Sequence, residues 1–353
     1  MFEVVKGWID KHLSDEELVL FIAILMGFFV VIITMGAILA PLLTGIVLAY
    51  VMQGISKNLS RFQIPQWLAV AITFTVFLGG FIGFLFFIIP RVWRQLQSLF
   101  NELPNMVSRS QELLDKLPEK YPDLVSEHQV QIWVEMLSSE TSDITQWIVS
   151  FSLSQLPVLV AVVVYMMLVP ILVLFLLKDK DEIIAWCLGF LPKKRPLIDR
   201  IGAEMNLQMA NYIRGKFIEF LIVGAISYVF FAVIGLNYAA LLAFLVGLSV
   251  IVPYLGFIAV TLPVLIIAYL QFGWAGSFLY VVIGYSIIQG LDGFVLVPLL
   301  FSEAVNLHPI AIITAVLVFG SWWGLWGVFF AIPLATLVKA TINAWPSASK
   351  DAL

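Results

Sequence analysis

Asp292 is the one acidic residue between Glu219 and Glu303, and it falls inside an apolar run with Gln289 three residues before it. Residues three apart share a helical face. An ionisable group at membrane depth is costly enough to mark an ion pathway or a proton relay by default. Read this way, Asp292 and Gln289 hydrate a cavity, take a proton or ligate a coupling cation. The alternative is that Asp292 lies near the end of its helix and reaches water. Glu303, Asn306 and His308 form a short polar loop before Pro309. It reads as an interfacial turn that caps the helix after it, with His308 able to titrate near neutral pH. Arg214, Lys216 and Glu219 read as one helical face at the mouth of another apolar run. There they attract an anionic solute, with Arg214 screening it, or they anchor the helix at the interface. Trp322, Trp323 and Trp326, among Gly320, Gly324 and Gly327, offer a stacking platform or simply pack.

Other chemistry is excluded by what is missing. The sequence has no H-E-x-x-H, no G-x-S-x-G, no G-x-x-x-x-G-K-[ST] and no G-x-G-x-x-G. Neither an enzyme nor direct coupling to ATP is expected. Cys187 is the lone cysteine, which forbids an intramolecular disulfide or a cysteine-based zinc site, and His12, His128 and His308 are far apart. No metal centre or cofactor is expected. The 19 basic residues are interspersed with 23 acidic ones, so no basic stripe exists to follow a phosphate backbone, and nucleic acid is excluded as a partner.

The elements that must position these residues are membrane helices. The chain is 61% hydrophobic and 12% charged, against roughly 25% charged in soluble domains. Segments 18–56, 62–90, 144–177, 220–291 and 304–338 carry no Asp, Glu, Lys or Arg, and about 20 apolar residues suffice for one crossing. Pro41 predicts a break of the first segment into helices 18–39 and 41–56. A third span covers 67–90, a fourth 147–177 and a fifth 217–236. Between spans three and four, 91–143 reads as short amphipathic helices broken at Pro104 and Pro118. The eight basic residues of 178–219 mark that loop as cytoplasmic. This places 91–143 outside and both termini inside.

Two later stretches look alike. Each begins at an Asn (Asn237, Asn306), runs apolar, breaks near its centre and runs apolar again. The breaks are marked by Pro253, Gly256 and Pro263 in the first and by Gly320, Gly324, Gly327 and Pro333 in the second. They are expected to be re-entrant hairpins, 237–270 and 306–339, forming an inverted repeat around a midplane site; the other reading is two kinked spans whose Gly and Pro serve packing. The expected fold is all-α and polytopic, with about eight membrane segments. Residues 1–90 form a scaffold, 91–146 an outer insertion, 147–177 helix four, 178–216 cytoplasmic amphipathic helices, 217–340 a transport core and 341–353 a tail.

Leu176-Leu177-Lys178-Asp179, Tyr212-Ile213-Arg214-Gly215, Val252-Pro253-Tyr254-Leu255-Gly256 and Gly324-Leu325-Trp326-Gly327 with Ala331-Ile332-Pro333 occur in an order that resembles the autoinducer-2 exporter family of bacterial membrane proteins. Leu291-Asp292-Gly293 and the stretch Leu296 to Pro309 are similar to one member in particular. The resemblance implies an inner-membrane secondary transporter, a homo-oligomer (a homopentamer), and a small solute such as autoinducer-2 or a sodium or proton antiport. Lys216 departs from it, since many relatives carry Gln there. Two rival functions remain open at this point: a sodium or potassium/proton antiporter, and a membrane scaffold that moves nothing and recruits a partner through 91–143.

Overall fold

A computed structural model of the protein describes residues 16–115, 118, 128–130, 132, 155–301 and 307–344. Its regular elements are all helical. They are α1 (Glu16–Arg61); α2 (Gln66–Gly83), which passes through a π-helical turn, Phe84–Ile88, into α3 (Ile89–Asp115); α4 (Gln155–Lys178); the short α5 (Lys180–Leu188); α6 (Pro196–Ile234); α7 (Ala239–Ser249); α8 (Leu255–Phe272); α9 (Gly276–Leu291), which passes through a second π turn, Asp292–Leu296, into α10 (Val297–Phe301); α11 (Pro309–Phe329); and α12 (Ala331–Ala344). Eight stretches among the described residues are long and apolar enough to cross a membrane, and the chain is a multi-pass membrane protein.

Three boundaries differ from those expected. Helix α1 holds Pro41 inside it, and its two membrane-length stretches, Val19–Gly36 and Ile38–Arg61, divide a few residues before that proline. It is not straight. A straight helix from Glu17 to Tyr50 would be about 50 Å long. Glu17 accepts a hydrogen bond from the Ile198 amide, while the Tyr50 hydroxyl bonds Asn206 on the same helix α6. Only about 12 Å of helix separates Ile198 from Asn206, and side chains cannot make up the difference. So α1 folds back within a stretch that contains Gly36 and Pro41, the residue types at which sharp bends occur. Second, Pro104 lies inside α3 rather than ending it. Leu99 and Met106 of α3 pack against α7 and α8, and that apolar contact keeps the helix intact. Third, α6 starts at Pro196, where a missing amide costs nothing, and runs through 217 to a left-handed Gly235.

The apolar side chains form two cores. One joins Val51 and Met52 of α1, Phe77 of α2, Val169 and Val173 of α4, Tyr212 and Ile213 of α6, Phe301, and α11–α12 from Ile312 to Leu334. The other joins Val223 and Phe231 of α6 to α7, α8 and α9, from Leu242 to Tyr285. Helix α6 belongs to both. The second hairpin thus shares its core with the N-terminal helices, so the two hairpins do not form one packing unit.

Both repeat-like stretches are true hairpins. In the first, Gln271 ties the open end, accepting from the Asn237 amide at 2.7 Å and donating to the Gly235 carbonyl at 2.8 Å. Its tip is the turn around Pro253 and Tyr254, and Tyr254 has φ 61°. Helix α7 is about 16 Å long, half of the roughly 30 Å hydrocarbon layer, so this arm is too short to cross it alone. Gly256 is pressed against the Ser249 carbonyl with no room for a side chain. In the second hairpin the reversal is at Gly324, with φ 59° and ψ −136°. Gly327 sits on the Phe319 carbonyl as Gly256 sits on Ser249, and Gly320 faces Val328. Two of the predicted breaks are not breaks. Pro263 lies within α8, and Pro333 is in the first turn of α12, where its lacking amide had no helical partner anyway.

Candidate functional site

The two cores meet at a polar stripe on α6. Tyr212, Lys216 and Glu219 are spaced four and three residues apart, so they share one face. All three are buried, Lys216 to 7% exposure and Glu219 to 1%. Each hairpin presents to this stripe a carbonyl freed at the end of a helix, a group that needs a donor when buried. The Tyr212 hydroxyl donates to the Phe329 carbonyl at 2.8 Å. One turn along, Lys216 Nζ donates to the Val250 carbonyl at 2.8 Å. Lys216 also pairs with Glu219 at 2.8 Å and stands 5.0 Å from the centre of the Phe301 ring, where the ring's negative face favours a cation.

Lys216 and Glu219 line a cavity of about 550 Å³, in the usual range for a small-molecule site. The first hairpin's tip (Val252, Pro253, Tyr254) forms one wall, the second π turn another (Asp292, Gly293, Phe294), and Ile312 and Ile332 of the second hairpin also line it. A π turn inserts one residue into the helical register and is common at functional sites. Here it begins at Asp292 itself, and this carboxylate lies within electrostatic reach of Lys216 and Glu219. The Asp292 Oδ1 atom is buried without a hydrogen-bond partner. Gln289, also on the wall, donates to the Tyr285 hydroxyl at 2.6 Å. That hydroxyl lies 3.2 Å from Thr261 Oγ1, which donates to the Phe257 carbonyl at 2.6 Å. This chain of polar groups couples α9 to α8.

The cavity brings together Asp292 and Gln289, as the sequence predicts, but not the rest of the predicted set. Arg214 is two residues from Lys216 and so faces away from it. It donates to the Tyr50 carbonyl at 3.1 Å and lies across Gly54, fastening α6 to α1. His308 caps α11, its Nδ1 accepting from the Ile310 amide at 3.3 Å. It is an exposed helix start, outside the cavity. Glu303 and Asn306 lie outside the described residues. The tryptophans pack: Trp323 and Trp326 stack on Phe330 at 5.9 and 6.0 Å, and Trp322 meets Phe29 and Phe319 edge-on. In the sequence Lys216 and Glu219 read with Arg214 as a mouth or an anchor, and Tyr212 stands only within a family motif. The four-and-three spacing, which leaves Arg214 off the stripe, is the signal that joins Tyr212, Lys216 and Glu219.

The chain is similar along nearly its full length to proteins described as permeases or transport proteins. "Putative permease PerM" of Escherichia coli (strain K12) is 42% identical over 346 residues, covering 98% of each chain. "Putative transport protein YueF" of Bacillus subtilis (strain 168) is 25% identical, over 92% of this chain and 89% of the relative. A "Putative transport protein" of Haemophilus influenzae is 22% identical, over 89% of each. The model of the AI-2E family transporters matches residues 18–347. A polytopic helical chain with a charged cavity between two hairpins, matched over this length, is a member of the AI-2E transporter family.

Proposed function

We propose that the protein is a secondary transporter of the bacterial inner membrane that carries a small solute through the cavity at Lys216, Glu219 and Asp292, coupled to an ion. The observation that carries this reading is Asp292 Oδ1, a carboxylate oxygen buried in a membrane-spanning segment with no partner in the protein. Such a group calls for a proton or a cation. Gln289 beside it orients what binds. By resemblance to the family the cargo is autoinducer-2 or a solute like it, and the assembly is a homopentamer with both termini cytoplasmic.

The mechanism proposed is an elevator-like alternation in which the body built on α7, α8, α9 and the C-terminal half of α6 moves against the rest. That body has its own apolar core, which permits it to shift as a unit. The two hairpins enter from opposite sides, as an inverted repeat does. A second reading, antiport of sodium or potassium against protons, is favoured by the same unpartnered oxygen if the ion is itself the cargo.

Reconstitution in vesicles with an imposed pH gradient tests both. Flux of autoinducer-2 that needs the gradient and falls at least tenfold in Asp292→Asn supports the exporter. Collapse of the gradient on adding sodium or potassium alone supports antiport. Flux in Asp292→Asn equal to that of the unaltered protein, with the same pH dependence, removes the coupling role.

A further inference from the structure

We propose that Lys216 is a tethered cation: it fills permanently one of two cation places facing Glu219 and Asp292, and in doing so pins the tip of the first hairpin through Val250. The proposal rests on the reading of this cavity as the site of a coupling ion and specifies how many ions it takes.

The argument is one of charge balance. Glu219 and Asp292 bring two carboxylates to one cavity between membrane helices, and Lys216 brings one positive charge. Buried ions persist only when matched. Glu219 has its match at 2.8 Å; Asp292 keeps a buried oxygen free. Room therefore remains for one further positive charge. The other groups facing Lys216 add no formal charge: the Val250 carbonyl from the hairpin tip, the Phe301 ring from α10 and, one turn away on its own helix, Tyr212, whose proton is given to Phe329. An ammonium on a flexible stem and an alkali ion present the same charge to carboxylate and carbonyl oxygens, which are hard donors. Lys216 thus does at this position what a mobile ion does in an unoccupied site. Because its second bond is to Val250, the same group that balances the charge also holds the tip of α7 against α6.

The test is the number of ions held. Saturation binding of radioactive sodium to the purified full chain, repeated with potassium, is expected to give one more cation per protomer in Lys216→Met than in the unaltered protein. Lys216→Arg keeps the original number. Glu219→Gln added to Lys216→Met returns the number to the original, since one negative and one positive charge are removed together. If Lys216→Met does not purify as a folded protein, Glu219→Gln alone reports the same balance by holding one cation fewer, or none. Equal numbers in the unaltered protein and in Lys216→Met, or an added cation that persists in Lys216→Arg, overturn the proposal. If the unaltered protein holds no alkali ion and Lys216→Met holds one, the tethered cation stands and the alkali-coupled reading of the native cavity falls. If no variant holds any, both fall.

Discussion

At the scale of single residues, the cavity is governed by a few donors and acceptors whose burial decides their worth. Removing one partner of a buried ion pair strands the other and costs about 3–5 kcal/mol. Lys216→Met is therefore expected to lower the thermal midpoint of the detergent-solubilised protein clearly more than Lys216→Arg, with Glu219→Gln added to Lys216→Met recovering most of the loss. An unchanged midpoint in Lys216→Met would mean that the pair is not buried as described. His308 gives the opposite expectation. It caps α11 from an exposed position, so His308→Ala weakens the helix start by about 1 kcal/mol and leaves transport within twofold of the unaltered rate in the same vesicle assay. At this scale the sequence disclosed Asp292 and Gln289, because a lone acid in a charge-free stretch is visible from composition. Lys216 and Glu219 stayed ambiguous, because charges at the start of an apolar run look alike whether they meet water or a buried tip; only the packing of Val250 and Phe301 onto α6 decides it.

At the scale of elements, the hairpins rest on contacts that tolerate no side chain. Gly256 and Gly327 each sit on a carbonyl of the preceding arm, Ser249 and Phe319 respectively. Substituting either by Ala forces the arms apart, and overpacking of this kind costs about 1–3 kcal/mol. Gly324 is held at φ 59° and ψ −136°, a region that side chains avoid, and Gly324→Ala is expected to cost about 1–3 kcal/mol. Thermal unfolding of the three variants checks this, and a midpoint like that of the unaltered protein in all three would contradict the hairpin geometry. Probes of topology therefore belong on neighbours with room, Leu255 and Leu325, after replacing the exposed Cys187. Leu255→Cys is expected to label from outside and Leu325→Cys from inside with an impermeant reagent; labelling of both from one side would remove the inverted repeat. The doubled pattern of Asn, Gly and Pro made both hairpins legible in the sequence. Pro263 and Pro333 misled, because proline marks a break only where its missing amide or its ring is in conflict. The division of α1 into two spans was legible from its length, but the place of the bend was not, since it depends on where Glu17 and Tyr50 find partners on α6.

At the scale of the whole molecule, two apolar cores share α6, and the charged stripe lies where they join. In the proposed alternation one body moves while each core stays closed, and the cavity opens first to one side and then to the other. The composition and the family resemblance made the membrane fold legible, but not this division, because the second hairpin packs with the N-terminal helices rather than with the first hairpin. The division leads to a direct measurement of the central claim, that the cavity at Asp292 is the transport site. Gly290 lines this cavity with open space around it, and Gly290→Cys, in a background with Cys187→Ser, is labelled by an impermeant thiol reagent applied to one side or the other of sealed vesicles. The account predicts labelling from both sides, a preference that reverses when the imposed ion gradient is reversed, and protection by the transported species. Labelling confined to one side whatever the gradient, or none from either, would contradict it.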